Sequence, residues 1–466
     1  MPARSPWLAL LLVASFAAPA IAAAPPPSSP ALDGGNATLR AIARAVSAAR
    51  IRADIQRLVA FGTRSSLSDP SGANGRGVGA ARDWIAAQFR ADAALSGGRL
   101  QVRLDSFTVP ASPRVPQAIT MTDVVATLPG ADPSDHRVFV VGGHYDSRAS
   151  NVLDGRIDAP GANDDGSGTS VVLECARVLS RYRFPATIEF IAFEGEEQGL
   201  DGSKHAAQEA QEAGRQIVAM LDNDIVGGDN TPGRANRNRL RVFSEGVPAT
   251  ADAATLRRMA AVGGEVDSPS REIARYASAL ASAYLPGYSV VLEYRRDRYL
   301  RGGDHISFNL AGYPAVRFTD YHENYHHQHQ TVRVENGVQY GDLPRFTTPS
   351  YTANVARVNA LTLAALALAP PAPEHVQFLP RLETGTTLSW SPAPGAVAYR
   401  VLLRPTAAPQ WSERRTVHGT QAHRDESKDN YVMAVAAVGP HGLESPPALP
   451  SLPPFRRRPA ASAATH

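Results

Sequence analysis

Cysteine is almost absent from this chain of 466 residues, and its absence excludes a disulfide scaffold. Cys175 is the single cysteine, so no bridge can form within one chain. Positions 172, 175, 176 and 179 share one helical face, which predicts a buried, inert thiol rather than a nucleophile. The fold must therefore be stabilised mainly by its core.

Long apolar runs are also missing, and the one near the start is short. It extends from Trp7 to Phe16, follows Arg4 and precedes the small residues Ala20-Ile21-Ala22. A bilayer span needs about 20 apolar residues, whereas this pattern is typical of an export signal with a cleavage site. We therefore predict a signal peptide over residues 1–23, a periplasmic or extracellular location, and a mature chain without a membrane span.

The chain has no strong excess of charge of either sign. It contains 47 basic and 44 acidic residues, and removal of residues 1–23 takes away one arginine and no acid. A nearly neutral mature chain is not typical of nucleic-acid-binding proteins, so no nucleic-acid partner is predicted. The dense basic run Arg456–Arg458 falls in residues 453–466, a Pro/Ala-rich tail that is predicted to be disordered.

Most of the chain alternates between helical and extended patterns. Apolar spacing predicts helices within residues 36–60, over Ala80–Phe89, up to Leu179 and over Pro269–Tyr284. Short apolar runs predict strands at Arg137–Val141, Thr187–Phe193, Ile217–Leu221, Leu240–Ser244, Ser289–Tyr294 and Ala315–Thr319. Residues 36–368 are thus predicted to form an α/β domain, with a mostly parallel, twisted sheet covered by helices.

Proline-rich stretches mark the limits of this domain. Residues 24–35 are predicted to be a linker after the signal, and residues 369–373 a second linker. Residues 374–452 contain short alternating strands separated by Gly/Pro turns, which predict a small all-β sandwich. Through Leu388–Trp390 and Tyr431–Val438 this part resembles a fibronectin type III domain. The resemblance implies either a module that binds a surface or polymer or a simple spacer.

The residues suited to chemistry follow the predicted strands. His144 ends one strand, Glu194–Glu197 follows Phe193, and Asp224 follows the strand that ends at Leu221. In open α/β sheets, sites form at the carboxyl ends of strands. Together with a histidine cluster from His322 to His329, these imidazoles and carboxylates predict a hydrolytic zinc site.

The turn Gly161–Gly168 carries two adjacent acids, Asp164 and Asp165, before a predicted helix. Ser167 or Thr169 is the expected N-cap, and an aspartate could also serve as a cap. Capping accounts for one acid but not for both, so the turn is also a candidate source of a metal ligand.

Glu196-Glu197 is the pair that predicts catalysis. One neighbouring carboxylate can hold a metal while the other handles a proton. We expect Glu194 to be solvated or to support the site. His144 and Asp146 form a weaker pair, in which the aspartate could orient the imidazole.

These segments resemble a family of secreted co-catalytic zinc aminopeptidases, of the bacterial leucyl aminopeptidase and aminopeptidase Y type. The family also contains glutaminyl cyclases and the transferrin-receptor ectodomain. The resemblance covers roughly residues 40–365 and rests on five ordered blocks, which are Gly-Gly-His144-Tyr-Asp146, Gly-Ala-Asn-Asp164-Asp165-Gly-Ser-Gly, Glu196-Glu197-Gln-Gly-Leu, Asn223-Asp224-Ile-Val-Gly, and Gly303-Asp304-His305 leading to Pro314-Ala315.

The resemblance implies two zinc ions per chain, bridged by Asp164. His144 and Asp224 would complete one protein shell, and Glu197 with a late histidine the other. Glu196 would be the general base and Asp146 the acid that supports His144. Alignment on the preceding Glu323-Asn324-Tyr325 and on Gln-His selects His329 as the late histidine, and we favour this choice. Alignment on the terminal threonine selects His326 instead.

The implied activity is hydrolysis of N-terminal residues from peptides or proteins, with Tyr299 as a candidate for stabilising the oxyanion. Two other functions remain open on this fold. One is a glutaminyl cyclase, an acyltransferase that uses one zinc. The other is a binding ectodomain without catalysis. A complete set of ligands and a base favours the two-metal hydrolase.

Overall fold

The computed structural model describes residues 34–233 and 235–451. The predicted signal peptide, almost all of the first linker and the predicted tail lie outside the described residues. Among the described helices, none is both long and apolar enough to cross a bilayer. Residues 34–368 contain a helix-covered sheet, and residues 374–451 contain two small sheets.

The helices are α1 Ala37–Ala45, α2 Ala48–Val59, α3 Gly77–Leu95, α4 Gly166–Leu179, α5 Glu196–Gly199, α6 Asp201–Glu212, α7 Ala253–Ala260, α8 Pro269–Tyr284, α9 His305–Leu310 and α10 Pro349–Leu368, with a 3-10 turn at Pro344–Phe346. The strands are β1 Gln101–Val109, β2 Ile119–Leu128, β3 Arg137–His144, β4 Thr187–Phe193, β5 Gln216–Asn223, β6 Arg239–Ser244, β7 Ser289–Glu293, β8 Ala315–Asp320, β9 Arg333–Glu335, β10 Val338–Tyr340, β11 Gln377–Phe378, β12 Thr386–Ser389, β13 Ala398–Pro405, β14 Glu413–Val417, β15 Gln421–Arg424 and β16 Tyr431–Val438.

The large sheet has eight strands in the order β1-β2-β4-β3-β5-β8-β6-β7. Its centre is parallel, because β3 pairs in parallel with both β4 and β5, and β5 with β8. Antiparallel pairs occur at β1–β2, β2–β4 and β6–β8. The predicted mostly parallel, helix-covered sheet is confirmed. Strands β1 and β2 were not predicted, since the edge strand β1 is largely exposed and carries charges that obscure its pattern.

Two local predictions can be compared with the helices directly. Cys175 is fully buried in α4, with its Sγ 3.7 Å from the carbonyl oxygen of Ala356, so the prediction of a buried thiol is confirmed. The helical pattern of residues 36–60 is divided into α1 and α2. The division occurs at Val46-Ser47, because the Ser47 hydroxyl accepts a hydrogen bond from the Arg50 amide and begins a new helix.

The C-terminal part consists of two three-stranded antiparallel sheets, β11-β12-β15 and β14-β13-β16. Phe378 and Leu388 from the first sheet share an apolar core with Val401, Leu403 and Val435 from the second. This arrangement confirms the predicted all-β sandwich. Its resemblance to a fibronectin type III domain stays a prediction.

Buried polar contacts join the sandwich to helix α8. The guanidinium of Arg404, which is 1% exposed, pairs with Asp267 just before α8. Within α8, Glu272 accepts a hydrogen bond of 2.8 Å from the indole nitrogen of Trp411. Because such buried groups require fixed partners, the sandwich is packed on the α/β domain rather than connected to it by the linker alone.

Candidate metal centre

Strand geometry brings together side chains from five distant segments. Strands β4, β3 and β5 are parallel neighbours, so their carboxyl ends meet at one edge of the sheet. His144 is the last residue of β3, Glu196 begins α5 after β4, and Asp224 directly follows β5. Asp164 lies in the turn before α4, and His329 lies in the segment that follows β8.

These side chains form two groups that share Asp164. On one side, the Nε2 atom of His144 lies 3.2 Å from Asp164 Oδ1 and 3.8 Å from Asp224 Oδ1. On the other side, the Nε2 atom of His329 lies 2.9 Å from Asp164 Oδ2 and 3.1 Å from Glu197 Oε1. The two carboxylate oxygens of Asp164 therefore face different groups. This is the arrangement expected of a carboxylate that bridges two cations.

Four of the converging atoms are buried and make no hydrogen bond of good geometry among the described residues, and two of them have only the ring of His329 as a close polar neighbour. The four atoms are His144 Nε2, Asp164 Oδ2, Glu197 Oε1 and Asp224 Oδ1. Unpaired buried carboxylates are costly unless a cation is present. Imidazole nitrogen and carboxylate oxygen are the ligands that zinc binds in catalytic sites. The residues present thus fit a pair of zinc ions.

The two aspartates of the turn, Asp164 and Asp165, have different roles. The carboxylate of Asp165 accepts a hydrogen bond of 2.8 Å from the Gly168 amide and caps α4. The expectation that Ser167 or Thr169 is the cap is therefore wrong, because the helix already begins at Gly166. A side chain at Gly168 would lie 1.9 Å from the carbonyl oxygen of Asn223, so only glycine permits this close approach.

The turn that carries Asp164 is held by buried groups that the sequence reasoning missed. The carboxylate of Asp342 accepts hydrogen bonds from the amides of Asn163 and Asp164, at 2.8 and 2.7 Å. Arg64 is fully buried and donates to the carbonyl oxygens of Pro160 and Gly161. Both groups are far from the turn in sequence and lie outside the recognised motif blocks, so no local signal identifies them.

Asp146 contacts both the imidazole and the glutamate pair. Its Oδ1 lies 3.4 Å from His144 Nδ1, and its carboxylate accepts hydrogen bonds from the amides of Glu196 and Glu197. Asp146 thus fixes the ring of His144 and the start of α5 together. Glu197 is buried, whereas Glu196 retains partial exposure and lies within reach of the group that contains His144 and Asp224.

Electrostatics in the site follow from the crowding of acids. Burial raises the pKa of Glu196 to about 8, with His144 opposing the rise and the carboxylates of Asp224 and Glu197 adding to it. Burial alone would also raise the pKa of Asp164, but the imidazoles of His329 and His144 hold that pKa well below its usual range. The site thus strongly favours positive charge next to Asp164.

The late histidines occupy different environments. His329 faces Asp164 and Glu197, whereas His326 is exposed and its ring lies beside Tyr340. His327 is buried, and its Nδ1 lies 2.6 Å from the carboxylate of Asp229. Of the two alternatives left open by the sequence, the structure brings His329 to the candidate centre.

Glu194 differs from the expectation of a solvated acid. It is 3% exposed, and its carboxylate accepts hydrogen bonds of 2.7 Å from the Thr122 amide and the Tyr145 hydroxyl. Tyr145 follows His144 directly, so Glu194 supports the segment that carries this histidine. The solvated alternative is wrong because β2 covers the side chain.

Comparison with known proteins gives relatives over most of the chain. A model of peptidase family M28 matches residues 123–339. A protein of Leptosphaeria maculans named as a probable zinc metalloprotease is 41% identical over 418 residues, which is 88% of this chain and 96% of that protein. A protein of Pyricularia oryzae with the same description is 42% identical, covering 91% of this chain and 88% of its own length.

Solved structures show the same fold at lower sequence identity. The LapA aminopeptidase of Legionella pneumophila matches with a TM-score of 0.50 and 23% identity, over 71% of this chain and 75% of its own. LapB from Legionella pneumophila matches with a TM-score of 0.51 and 20% identity, over 74% and 78%. The family model and the long alignments at about 40% identity establish that the chain belongs to peptidase family M28.

Proposed function

We propose that this chain is a zinc-dependent aminopeptidase that removes N-terminal residues from peptides or proteins. The observation that carries the proposal is the position of Asp164, whose two oxygens face two separate groups of potential ligands. His144 and Asp224 would hold one zinc, Glu197 and His329 the other, and Asp164 both. The relatives named as probable zinc metalloproteases support the choice of metal.

The residues around the centre suit peptide hydrolysis. Bound zinc would supply a Lewis acid for the scissile carbonyl and lower the pKa of an attacking water. Glu196 is the candidate general base, because it is partly exposed, its carboxylate lies within 4.8 Å of potential ligand atoms of His144 and Asp224, and we assign the shared ligand position beside them to Asp164. It would accept the proton of the water and pass it to the departing amine. Asp146 would keep the His144 ring and the backbone of Glu196 in place.

The rim of the site offers contacts for a substrate. Tyr299 and Leu300 are 76% and 85% exposed in the segment between β7 and α9, and Tyr325 is 59% exposed four residues before His329. The segment that carries Tyr299 and Leu300 is connected to the candidate centre, because its Asp297 pairs with Arg317, which also pairs with Asp224. Exposed large apolar residues are typical of ligand-binding surfaces. We propose that they contact the substrate, with the Tyr299 hydroxyl available to the oxyanion.

The test is hydrolysis of leucyl substrates with free and with acetylated amino termini, with and without a chelator. We expect cleavage only of the free form, lost on chelation and restored by zinc. Equal cleavage of the acetylated form would refute the aminopeptidase assignment while leaving a metallopeptidase. Ring closure of an N-terminal glutaminyl peptide, with one zinc per chain, would favour the glutaminyl cyclase alternative.

For the C-terminal sandwich we propose a structural role as a packed part of the enzyme. The buried contacts of Arg404 and Trp411 with the start of α8 support it. An alignment that covers 91% of the chain must also extend past residue 368 into the sandwich. Binding to a surface or polymer, and export to the periplasm or medium, remain predictions.

A further inference from the structure

Arg317 is a fully buried arginine that contacts the candidate metal ligand Asp224. It lies on β8, next to β5, and its Nη2 is 2.7 Å from Asp224 Oδ2. The other oxygen of Asp224 faces His144 and has no hydrogen-bond partner among the described residues. The carboxylate is therefore divided, with one oxygen held by the guanidinium and the other free for a cation.

The same guanidinium also holds a segment at the rim. We define the rim loop as residues 294–304, between β7 and α9. Nη1 of Arg317 lies 3.3 Å from Asp297 Oδ2 and donates to the carbonyl oxygen of Gly302. A side chain at Gly303 would lie 2.5 Å from Nη1, so the loop backbone is packed directly on the guanidinium.

This double contact requires arginine. The guanidinium is planar, presents five donors in a fixed fork and stays charged when buried, whereas a lysine ammonium is a point charge on a flexible stem. Asp224 and Asp297 are 3% and 6% exposed, and buried carboxylates need a cation or fixed donors. Arg317 contacts both carboxylates and so links their positions, while Asp297 is also paired with Arg298.

We propose that Arg317 is a positioning residue that joins the metal ligand Asp224 to the substrate-contacting rim loop. The inference rests on the proposed zinc centre. Through its contact with Asp224, Arg317 orients the free oxygen of this carboxylate towards the metal site. Through its contacts with Asp297 and Gly302, it fixes the backbone that presents Tyr299 and Leu300. A single change at Arg317 should therefore affect both metal retention and substrate binding.

The neighbouring Arg298 provides a matched control. It is buried on the same loop, donates to the same Gly302 carbonyl oxygen at 3.0 Å, and pairs with Asp297 at 3.1 Å and with Glu323 at 2.7 Å. No ion pair joins it to Asp224 among the described residues. Loss of Arg298 should therefore loosen the rim loop without changing the contact between Arg317 and Asp224.

The experiment compares zinc content after dialysis against chelators of graded strength with KM and kcat for a leucyl substrate. Arg317→Met should lose one of two zinc ions, with affinity reduced about 10- to 100-fold, as for other groups that orient metal ligands, and KM should rise. Arg317→Lys should partly restore both. Arg298→Met should keep both zinc ions and raise KM.

Three outcomes would overturn the inference. They are full zinc retention by Arg317→Met, equal zinc loss in Arg298→Met, and Arg317→Lys matching Arg317→Met in both readouts. If Arg317→Met does not fold, Arg317→Lys against Arg298→Met decides the matter, because only the former should weaken zinc. Wild-type protein without zinc would instead refute the proposed function, so the two failures are distinguishable.

Discussion

Two groups of acids and histidine in this chain have similar composition but different surroundings. Asp164, Glu197 and His329 meet at the carboxyl ends of the strands, whereas Asp105, His205 and Glu209 form a partly exposed surface group, where His205 of α6 pairs with Asp105 of β1. Both sets place potential ligand atoms within 4.8 Å of one another. Proximity alone therefore does not distinguish them.

The difference lies in what already neutralises the acids. In the surface group, Arg103 pairs with both Asp105 and Glu209, and the ring of His205 stacks on Phe107 at 4.4 Å. At the strand ends, among residues 34–233 and 235–451, no arginine or lysine pairs with the carboxylate of Asp164 or Glu197. A missing cation among buried acids is thus better evidence for a metal site than an acid–histidine cluster.

The largest expected effect comes from the shared ligand. Asp164→Asn should reduce zinc content from two ions towards none and reduce hydrolysis to background, because both groups lose a charged oxygen. The control Asp105→Asn should keep both zinc ions and full activity, since Asp105 pairs with Arg103 and His205 and with none of the candidate ligands among the described residues. Metal analysis of the two purified variants is the measurement. Zinc loss in Asp105→Asn would remove the distinction between the groups.

The next effect separates the base from the ligands. Glu196→Gln should retain two zinc ions but lower kcat by about 10²- to 10⁴-fold, the usual contribution of a general base. Glu209→Gln, the same change in the surface group, should leave kcat unaltered. Steady-state kinetics with parallel zinc analysis tests this. Full activity of Glu196→Gln would exclude Glu196 from the role.

The sequence predicts the strand-end residues well, because ligands in this fold follow short apolar runs and lie in local motifs. His144, the Asp164 turn, the Glu196-Glu197 pair and Asp224 all belong to such blocks. The sequence favoured His329 but left His326 open, since both lie in one short segment without a helix or strand. Their difference arises only from the path of the chain after β8.

The supporting groups could not be predicted, for a physical reason. Arg317, Asp342 and Arg64 act through contacts with segments far away in sequence. Arg317 interrupts the apolar run of the predicted strand Ala315–Thr319. Only the structure shows that it is buried there with the acidic partners Asp224 and Asp297. The edge strand β1 was also missed, because it is largely exposed and charged residues interrupt its apolar positions.

The smallest effect concerns pH and compares His329 with His205. Although burial opposes it, Glu197 and Asp164 raise the pKa of His329 from 6.5 to about 10 in the metal-free protein. The folded state then binds one more proton than the unfolded state between these values, so its stabilising contribution is complete below pH 6.5 and lost as pH rises through about 10. Zinc must displace this proton, so zinc affinity should rise with pH over the same range.

His329→Gln should flatten the pH profiles of folding stability and of zinc affinity, measured by denaturant unfolding and chelator competition, whereas His205→Gln should leave them unchanged. Identical profiles for the two variants would mean that the acids at the strand ends are neutralised by something other than this imidazole.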